Sequence, residues 1–317
     1  MTVDPTPSSV VLPTGRTGDR RTTIVAVVVT VTLWSSAFAG IREGLRSYGP
    51  VQLVAFRFIL ASLLLLALAR PLGVGLPRWR DLPALFALGF CGMTVYPLAL
   101  AIGEQHVSAG VASMVVASQT IIVAALATIF LGEHLTGWGW LGSLIGFGGI
   151  AVISLGQRSG LHVDLQVLWP LFAALATSVY FVFQKPLLRR YNALEVATWC
   201  IWCGTIFVLP FAWALPGQIA GATWQATASV VYLAVFPTAI AYVTWSYALS
   251  CAPASFIVNV LYLIPPLAVV IAYVWLGERP SPLSLLGGAV TLAGIALIGF
   301  RGRAERNPLL QVAASAR

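Results

Sequence analysis

The sequence predicts an all-α polytopic membrane protein, with ten transmembrane helices arranged as two inverted five-helix repeats. Three observations lead there. The 317 residues are 59% hydrophobic and only 9% charged, with a mean hydropathy of +0.89. A soluble domain carries roughly 25% charged residues, and no soluble fold of this length has the interior to hide so much apolar surface. The apolar residues fall in runs of the length, about 20 residues, that crosses the hydrocarbon core of a bilayer. Finally, Leu131-Gly132-Glu133 returns 145 residues later as Leu276-Gly277-Glu278.

The chain opens with residues 1–21, where Pro5, Pro7 and Pro13 stand among Ser, Thr and Gly and read as a flexible tail. Arg20-Arg21 and the run that ends at Ala37-Phe38-Ala39 imitate a signal peptide. The chain beyond reads better with that run kept as a span. Ten spans follow, at 22–41, 50–69, 82–103, 107–131, 137–156, 166–184, 194–215, 224–249, 253–276 and 282–300. Gly49-Pro50 separates the first pair and Arg70 to Asp81 the second and third. Lys185-Pro186 to Asn192 separates the sixth and seventh, and Arg279-Pro280-Ser281-Pro282 the last two. Residues 22–156 form the first repeat, 157–165 a linker, 166–300 the second repeat and 301–317 a second tail. Alternating β-barrel patterning is absent, and lipid then leaves only helices to satisfy the backbone.

Basic residues set the orientation. With the N-terminus inside, thirteen of the 18 Lys and Arg fall on the inner segments, four on the outer ones, and Arg57 within span 2. Both termini are therefore expected in the cytoplasm of a cell that carries this protein in its plasma membrane. The same bias explains the net charge of +8 without a nucleic-acid partner, because the basic residues lie between apolar runs and form no continuous face.

Shifting 131–153 by 145 residues onto 276–298 makes nine of 23 pairs identical, where apolar composition alone gives roughly two or three. At the front, Arg42 and Lys185 match weakly at a shift of 143. Five spans per repeat is an odd number, so the second repeat enters the membrane upside down. Inverted halves that exchange conformations expose a midplane site to either side in turn.

These turns, each followed by a Gly-rich final span, resemble the EamA domain of the drug/metabolite transporter superfamily. So do Trp34-Ser35-Ser36-Ala37-Phe38, Ala55-Phe56-Arg57-Phe58, and the stretch from Phe236-Pro237-Thr238-Ala239-Ile240-Ala241-Tyr242 through Ala254-Ser255. The resemblance covers about 22–300 and implies ten helices, cytoplasmic termini and export of small metabolites or drugs. Pro265 stands thirteen residues before Glu278, as is frequent in that family, but Thr120 occupies the equivalent place in span 4. A symmetric kink is not secured by proline.

No catalytic constellation is present. The ten carboxylates lie at span ends, loops or tails, and no phosphate-binding loop follows a strand. Cys200 and Cys203 form a C-x-x-C in mid-span, where a thiolate is poorly solvated, so they read as packing residues. Three histidines without ligand spacing argue against a metal, and no cofactor is expected. Glu133 and Glu278 read as structural acids that accept hydrogen bonds from the free N–H groups of the next helix. Arg57 snorkels, pairs within the bundle, or faces an anionic solute. Glu104, just past span 3, reads as a solvated residue, with a partner of Arg57 or a protonatable gate as the other readings.

Polar and aromatic side chains within spans are the substrate-binding candidates. They are Trp34 with Ser35, Thr94 and Tyr96, Gln119 with Ser118, Tyr180 and Gln184, Thr238, Tyr242 and Trp245, and Asn259 and Tyr262. They are expected to wall a midplane cavity between spans 1, 3, 4, 6, 8 and 9 without fixed charge. Helix-to-helix hydrogen bonding is the plainer role for Gln119 and Asn259. Trp79, Trp138, Trp140 and Trp224 at span ends read as interfacial anchors. Gly142, Gly146 and Gly149 in span 5, and Gly287, Gly288 and Gly294 in span 10, suggest a scaffold or a homodimer face.

The sequence thus reads as a secondary transporter that exports small organic metabolites, amino-acid-like or drug-like, with a proton as the candidate coupling ion. A non-transporting membrane scaffold and a lipid-linked carrier flippase are the alternatives. Reporter fusions after residues 75, 160, 190 and 317 are expected to give cytoplasmic signal at all but 160. A cytoplasmic signal at 160 rules out the ten-span inverted topology.

Overall fold

The computed structural model describes residues 20–131, 136–155, 165–251 and 260–301. Every regular element among them is helical. In chain order they are α1 (Arg21–Gly44), α2 (Pro50–Ala69), α3 (Trp79–Glu104), α4 (Ala109–Leu126), α5 (Gly137–Ile153), α6 (Leu165–Leu188), α7 (Ala193–Gly221), α8 (Trp224–Cys251), α9 (Leu261–Leu276) and α10 (Pro282–Ile298). Seven are long and apolar enough to cross a membrane, whereas α5, α9 and α10 are shorter apolar helices. The protein is a multi-pass membrane protein. Glu133 and Asn259 lie outside the described residues.

Local chemistry sets the helix ends. Pro50 opens α2 at a position whose N–H has no helical partner anyway. The Ser108 side chain accepts from Val111 N at the start of α4, and Thr223 from Ala226 N at the start of α8. Asn192 and Glu195 form a reciprocal capping box on α7. Gly277, at φ 70°, ends α9 in the left-handed conformation that glycine adopts without penalty.

Several helices are irregular, among them α7, which passes through a 3₁₀ segment at Leu209–Ala214. α3 contains a π-helical segment, Phe90–Val95, and α8 another, Ala234–Ile240. α4 breaks between Val116 and Gln119, and α9 begins with a 3₁₀ turn at Leu261–Leu263. The two breaks sit about 145 residues apart, so matching irregularities exist although Thr120 stands where Pro265 does. In α4 the break is made by i→i+3 bonds, Ser118 N to Val115 O and Ile121 N to Ser118 O, which tighten the helix as proline does elsewhere.

Helices α5 and α10 pack antiparallel through their glycines. A Cβ at Gly149 would lie 2.6 Å from Gly287 O, and one at Gly142 would lie 2.6 Å from Gly294 O. Between these contacts the Thr291 hydroxyl donates to Gly146 O over 3.3 Å. The glycine faces meet each other within one chain, so the expected homodimer face is already occupied. Gly288 faces Met114 of α4. Elsewhere the Ser62 and Thr205 hydroxyls, 143 residues apart, pair at 2.7 Å between α2 and α7. The two tyrosines Tyr48 and Tyr191, also 143 apart, bind Thr227 and Asp81 at 2.7 and 2.5 Å.

Gly149→Ala is expected to destabilise the protein by roughly 1–3 kcal/mol, because the added methyl meets backbone. Gly148, with open space around its Cβ position, should gain slightly from the same change. Thermal unfolding of purified protein compares the two, and equal behaviour would contradict close backbone packing at this crossing.

Candidate functional site

Side chains from α1, α3, α4, α6, α8 and α9 line a small cavity. Trp34, Tyr96, Gln119 and Tyr242 are among its walls. Trp34 lies near-parallel to Phe181 at 6.0 Å and meets Tyr242 edge-on at 5.4 Å. Such pairs are favourable at these separations and leave an apolar surface with polar edges.

The π segments explain why these rings stand where they do. A π turn changes the i→i−4 ladder and leaves carbonyls to be satisfied from elsewhere. The Trp34 indole N–H donates to Pro237 O at 3.2 Å, and the Tyr242 hydroxyl to Gly92 O at 3.3 Å. Each π segment therefore fixes one wall of the cavity. Near the break of α4, the Ser178 hydroxyl donates to Gln119 O at 3.0 Å.

The other predicted residues stand elsewhere. Thr94 donates to Gly204 O at 2.9 Å and ties α3 to α7. Thr238 donates to Leu233 O at 2.8 Å, a carbonyl to which Pro237 can give no N–H, and accepts from Arg57 Nε. Both threonines are committed to the framework and lie outside the cavity lining. Tyr262 donates to Ile295 O at 3.2 Å, toward α10. Trp245 is 1% exposed and sits behind the wall, against Phe181 at 4.6 Å and Trp34 at 5.3 Å. Tyr180 and Gln184 are also buried outside the lining.

Phe38, Phe181, Leu261 and Ile264 line the cavity but carried no polar signal in the sequence, and Ser113 and Thr177 line it as polar residues that were not among the candidates. The repeat is the signal that finds several of them. Trp34 and Thr177 are 143 residues apart, as are Phe38 and Phe181. Val116 and Leu261, and Gln119 and Ile264, are 145 apart, and Tyr96 and Tyr242 are 146 apart. Walls of the cavity are thus built from paired positions.

Charge is closer than the sequence suggested. Arg57 is 4% exposed and held by Thr238. Its electrostatic neighbours are Tyr242, Tyr96 and Glu104. Glu104 is fully buried, not solvated, because Arg42 covers the end of α3 by donating to the Glu104 carbonyl. Neither Glu104 carboxyl oxygen has a hydrogen-bond partner among the described residues. Arg42 also pairs with Glu278 at 3.0 Å. Glu278 does accept from a helix N-terminus, but from Ala109 N of α4 at 2.9 Å, rather than from the next helix, α10. This clasp joins α1, α3, α4 and the turn after α9.

The EamA-like transporter family is matched twice, over residues 21–155 and 165–300. A probable terminal-alkyne amino-acid exporter of Streptantibioticus cattleyicolor is 44% identical over 282 residues, spanning 89% of this chain and 94% of that protein. An uncharacterized transporter of Bacillus subtilis, YdfC, is 42% identical and spans 83% and 86%. One solved crystal structure aligns with a TM-score of 0.60 at 20% identity over 88% of this chain and 96% of that one, a likeness of fold alone.

Disrupting the clasp with Glu278→Gln or Arg42→Ala should each lower stability by about 1.5–3 kcal/mol, the range for hydrogen bonds to charged groups. The double variant should lose clearly less than the two losses added together. Additive losses in thermal unfolding would mean that the two side chains do not act as one unit.

Proposed function

This chain is a membrane transporter of the EamA-like family, and from that premise we propose that it is a secondary transporter exporting small amino-acid-like solutes by alternating access. The observation that carries the reading is the cavity whose walls come in pairs from the two family-matched segments. We further propose that these segments are inverted repeats of five helices each, with residues 22–156 and 166–300 as the two units. Supporting this, Gly142 meets Gly294 while Gly149 meets Gly287. Since 142 corresponds to 287 and 149 to 294, the contact is unchanged when the halves are exchanged. A two-fold axis that runs two packed helices antiparallel lies across them, and for membrane helices that places it in the membrane plane. Both termini then lie in the cytoplasm, and the bias of basic residues favours that side.

The solute's apolar body packs against Trp34, Phe181 and Tyr242, and its carboxylate faces Arg57. The similar exporter from Streptantibioticus cattleyicolor carries an amino acid in its name, in keeping with an apolar pocket beside a buried cation. Glu104, buried beside Arg42, Glu278 and Arg57, is the candidate carrier of a coupling proton.

Flux of L-propargylglycine and of drug-like cations from proteoliposomes, with and without a pH gradient, tests the reading. Saturable amino-acid flux that Trp34→Ala weakens by about tenfold in apparent affinity is expected, corresponding to about 1.4 kcal/mol. Glu104→Gln is expected to remove the response to the pH gradient. Absence of flux for every solute tested would favour the scaffold reading, and flux of lipid-linked sugars alone the flippase.

A further inference from the structure

Behind the aromatic wall, four side chains of α6 and α8 carry polar atoms that nothing in the described protein satisfies. They are Tyr180 Oη, both amide atoms of Gln184, Trp245 Nε1 and Ser246 Oγ. Each residue is at most 1% exposed. Tyr180 and Gln184 lie one helical turn apart on α6. Ser246 is the neighbour of Tyr180 across the α6–α8 contact, although their hydroxyls do not meet in hydrogen-bond geometry. Trp245, next in the chain to Ser246, packs on Phe181, next in the chain to Tyr180. The cluster therefore shares its partition, Phe181 and Tyr242, with the cavity, since Tyr180 meets Tyr242 edge-on at 6.0 Å.

A single orphaned buried polar group costs about 1–3 kcal/mol, and native structures keep only a few per hundred residues. Five such atoms on two packed helices are costly to leave unmet, and Phe, Leu and Ala would fill the same space without that cost. They suit a ligand. Tyr, Gln, Trp and Ser supply four donor groups, the amide oxygen and the two hydroxyl oxygens can accept, and none is charged. No carboxylate, lysine or arginine is among the groups that act on Tyr180.

We propose that Tyr180, Gln184, Trp245 and Ser246 form a second solute subsite, which takes an uncharged hydrogen-bonding group, an amide or a hydroxyl, of the transported molecule. The inference rests on the transporter reading above. It divides recognition into an aromatic cavity for the apolar body and a neutral polar subsite reached when Phe181 and Tyr242 part. Binding there satisfies groups that are costly when empty, so a solute with a matching polar group is favoured over its apolar isostere.

The test uses two matched pairs of competitors, L-asparagine with L-leucine and L-serine with L-2-aminobutyrate, against L-propargylglycine flux in proteoliposomes. Binding to purified protein is followed in parallel by the thermal shift that each competitor produces. For wild type the polar member of at least one pair is expected to compete better. Gln184→Leu and Ser246→Ala should reduce that preference by roughly tenfold, the usual effect of removing one hydrogen-bonding group from a built site. Tyr180→Phe, which keeps the ring, guards against a folding defect. In the absence of solute the variants are expected to melt higher than wild type, because an orphaned group has been removed. Variants that melt lower with unchanged preference would show the groups to be held by structural water, and the proposal would fail. It fails equally if wild type shows no polar preference in either pair while propargylglycine flux is intact, a result that leaves the transporter reading standing.

Discussion

The structure depends on one constraint: a polypeptide inside a bilayer cannot leave backbone groups unpaired. Regular helices meet it without help. This chain departs from regular helix in α3, α4, α8 and α9, whose side chains line the cavity, and also in α7. The clearest case is Pro237. It has no N–H to give to Leu233 O, and the Thr238 hydroxyl donates to that carbonyl. The same hydroxyl then receives Arg57 Nε, so a buried guanidinium is positioned by the repair of a helix. The Pro237 carbonyl is met by Trp34 from α1, and Gly92 O in the other π segment by Tyr242 from α8. Irregular backbone and aromatic walls are therefore one construction.

A cavity built this way needs a frame that does not move with it. The α5–α10 crossing supplies one. Backbone meets backbone across Gly142, Gly149, Gly287 and Gly294, and close approach of this kind gives many small attractive contacts where lipid offers no hydrophobic drive. The cavity walls come from other helices, α1, α3, α4, α6, α8 and α9. Joining them at one end is the clasp of Arg42, Glu278 and Ala109 N, whose groups are partly exposed. A charged clasp at the edge of an apolar bundle is easier to open than a glycine seam, because water can solvate its parts when they separate.

Most of the helices were legible in the sequence because hydropathy reports directly on burial in lipid. The ends were legible for the same chemical reasons that made them: Gly49-Pro50, Asn192 with Glu195, and Gly277. What composition could not reveal was direction. Thr94, Thr238 and Tyr262 look like cavity residues by type, yet each hydroxyl is spent on a carbonyl of a neighbouring or distorted helix. Glu104 looks solvated by position, yet Arg42 closes over it. Apolar wall residues such as Phe38 and Ile264 gave no signal of their own. The front half of the repeat held that information at a shift of 143. It was faint because few positions, such as Phe38 with Phe181 and Tyr48 with Tyr191, are kept in kind, and the tyrosines' partners Thr227 and Asp81 are not.

Several hydrogen bonds of the framework are short, although Thr291 to Gly146 O in the α5–α10 seam is 3.3 Å. Thr238 to Leu233 is 2.8 Å, Ser229 to Gly40 is 2.7 Å, and Ser62 to Thr205 is 2.7 Å. Those made by the two cavity walls are long, 3.2 Å for Trp34 and 3.3 Å for Tyr242, at or beyond the upper end of the usual range. A donor held loosely to a backbone carbonyl gives up little when it turns to a solute oxygen. The carbonyl it leaves can accept from the solute in turn, so no buried group is orphaned during the exchange. Trp34 and Tyr242 come from different repeats and bind π segments of the opposite repeat. A solute that loosens both at once therefore weakens two contacts between the family-matched segments.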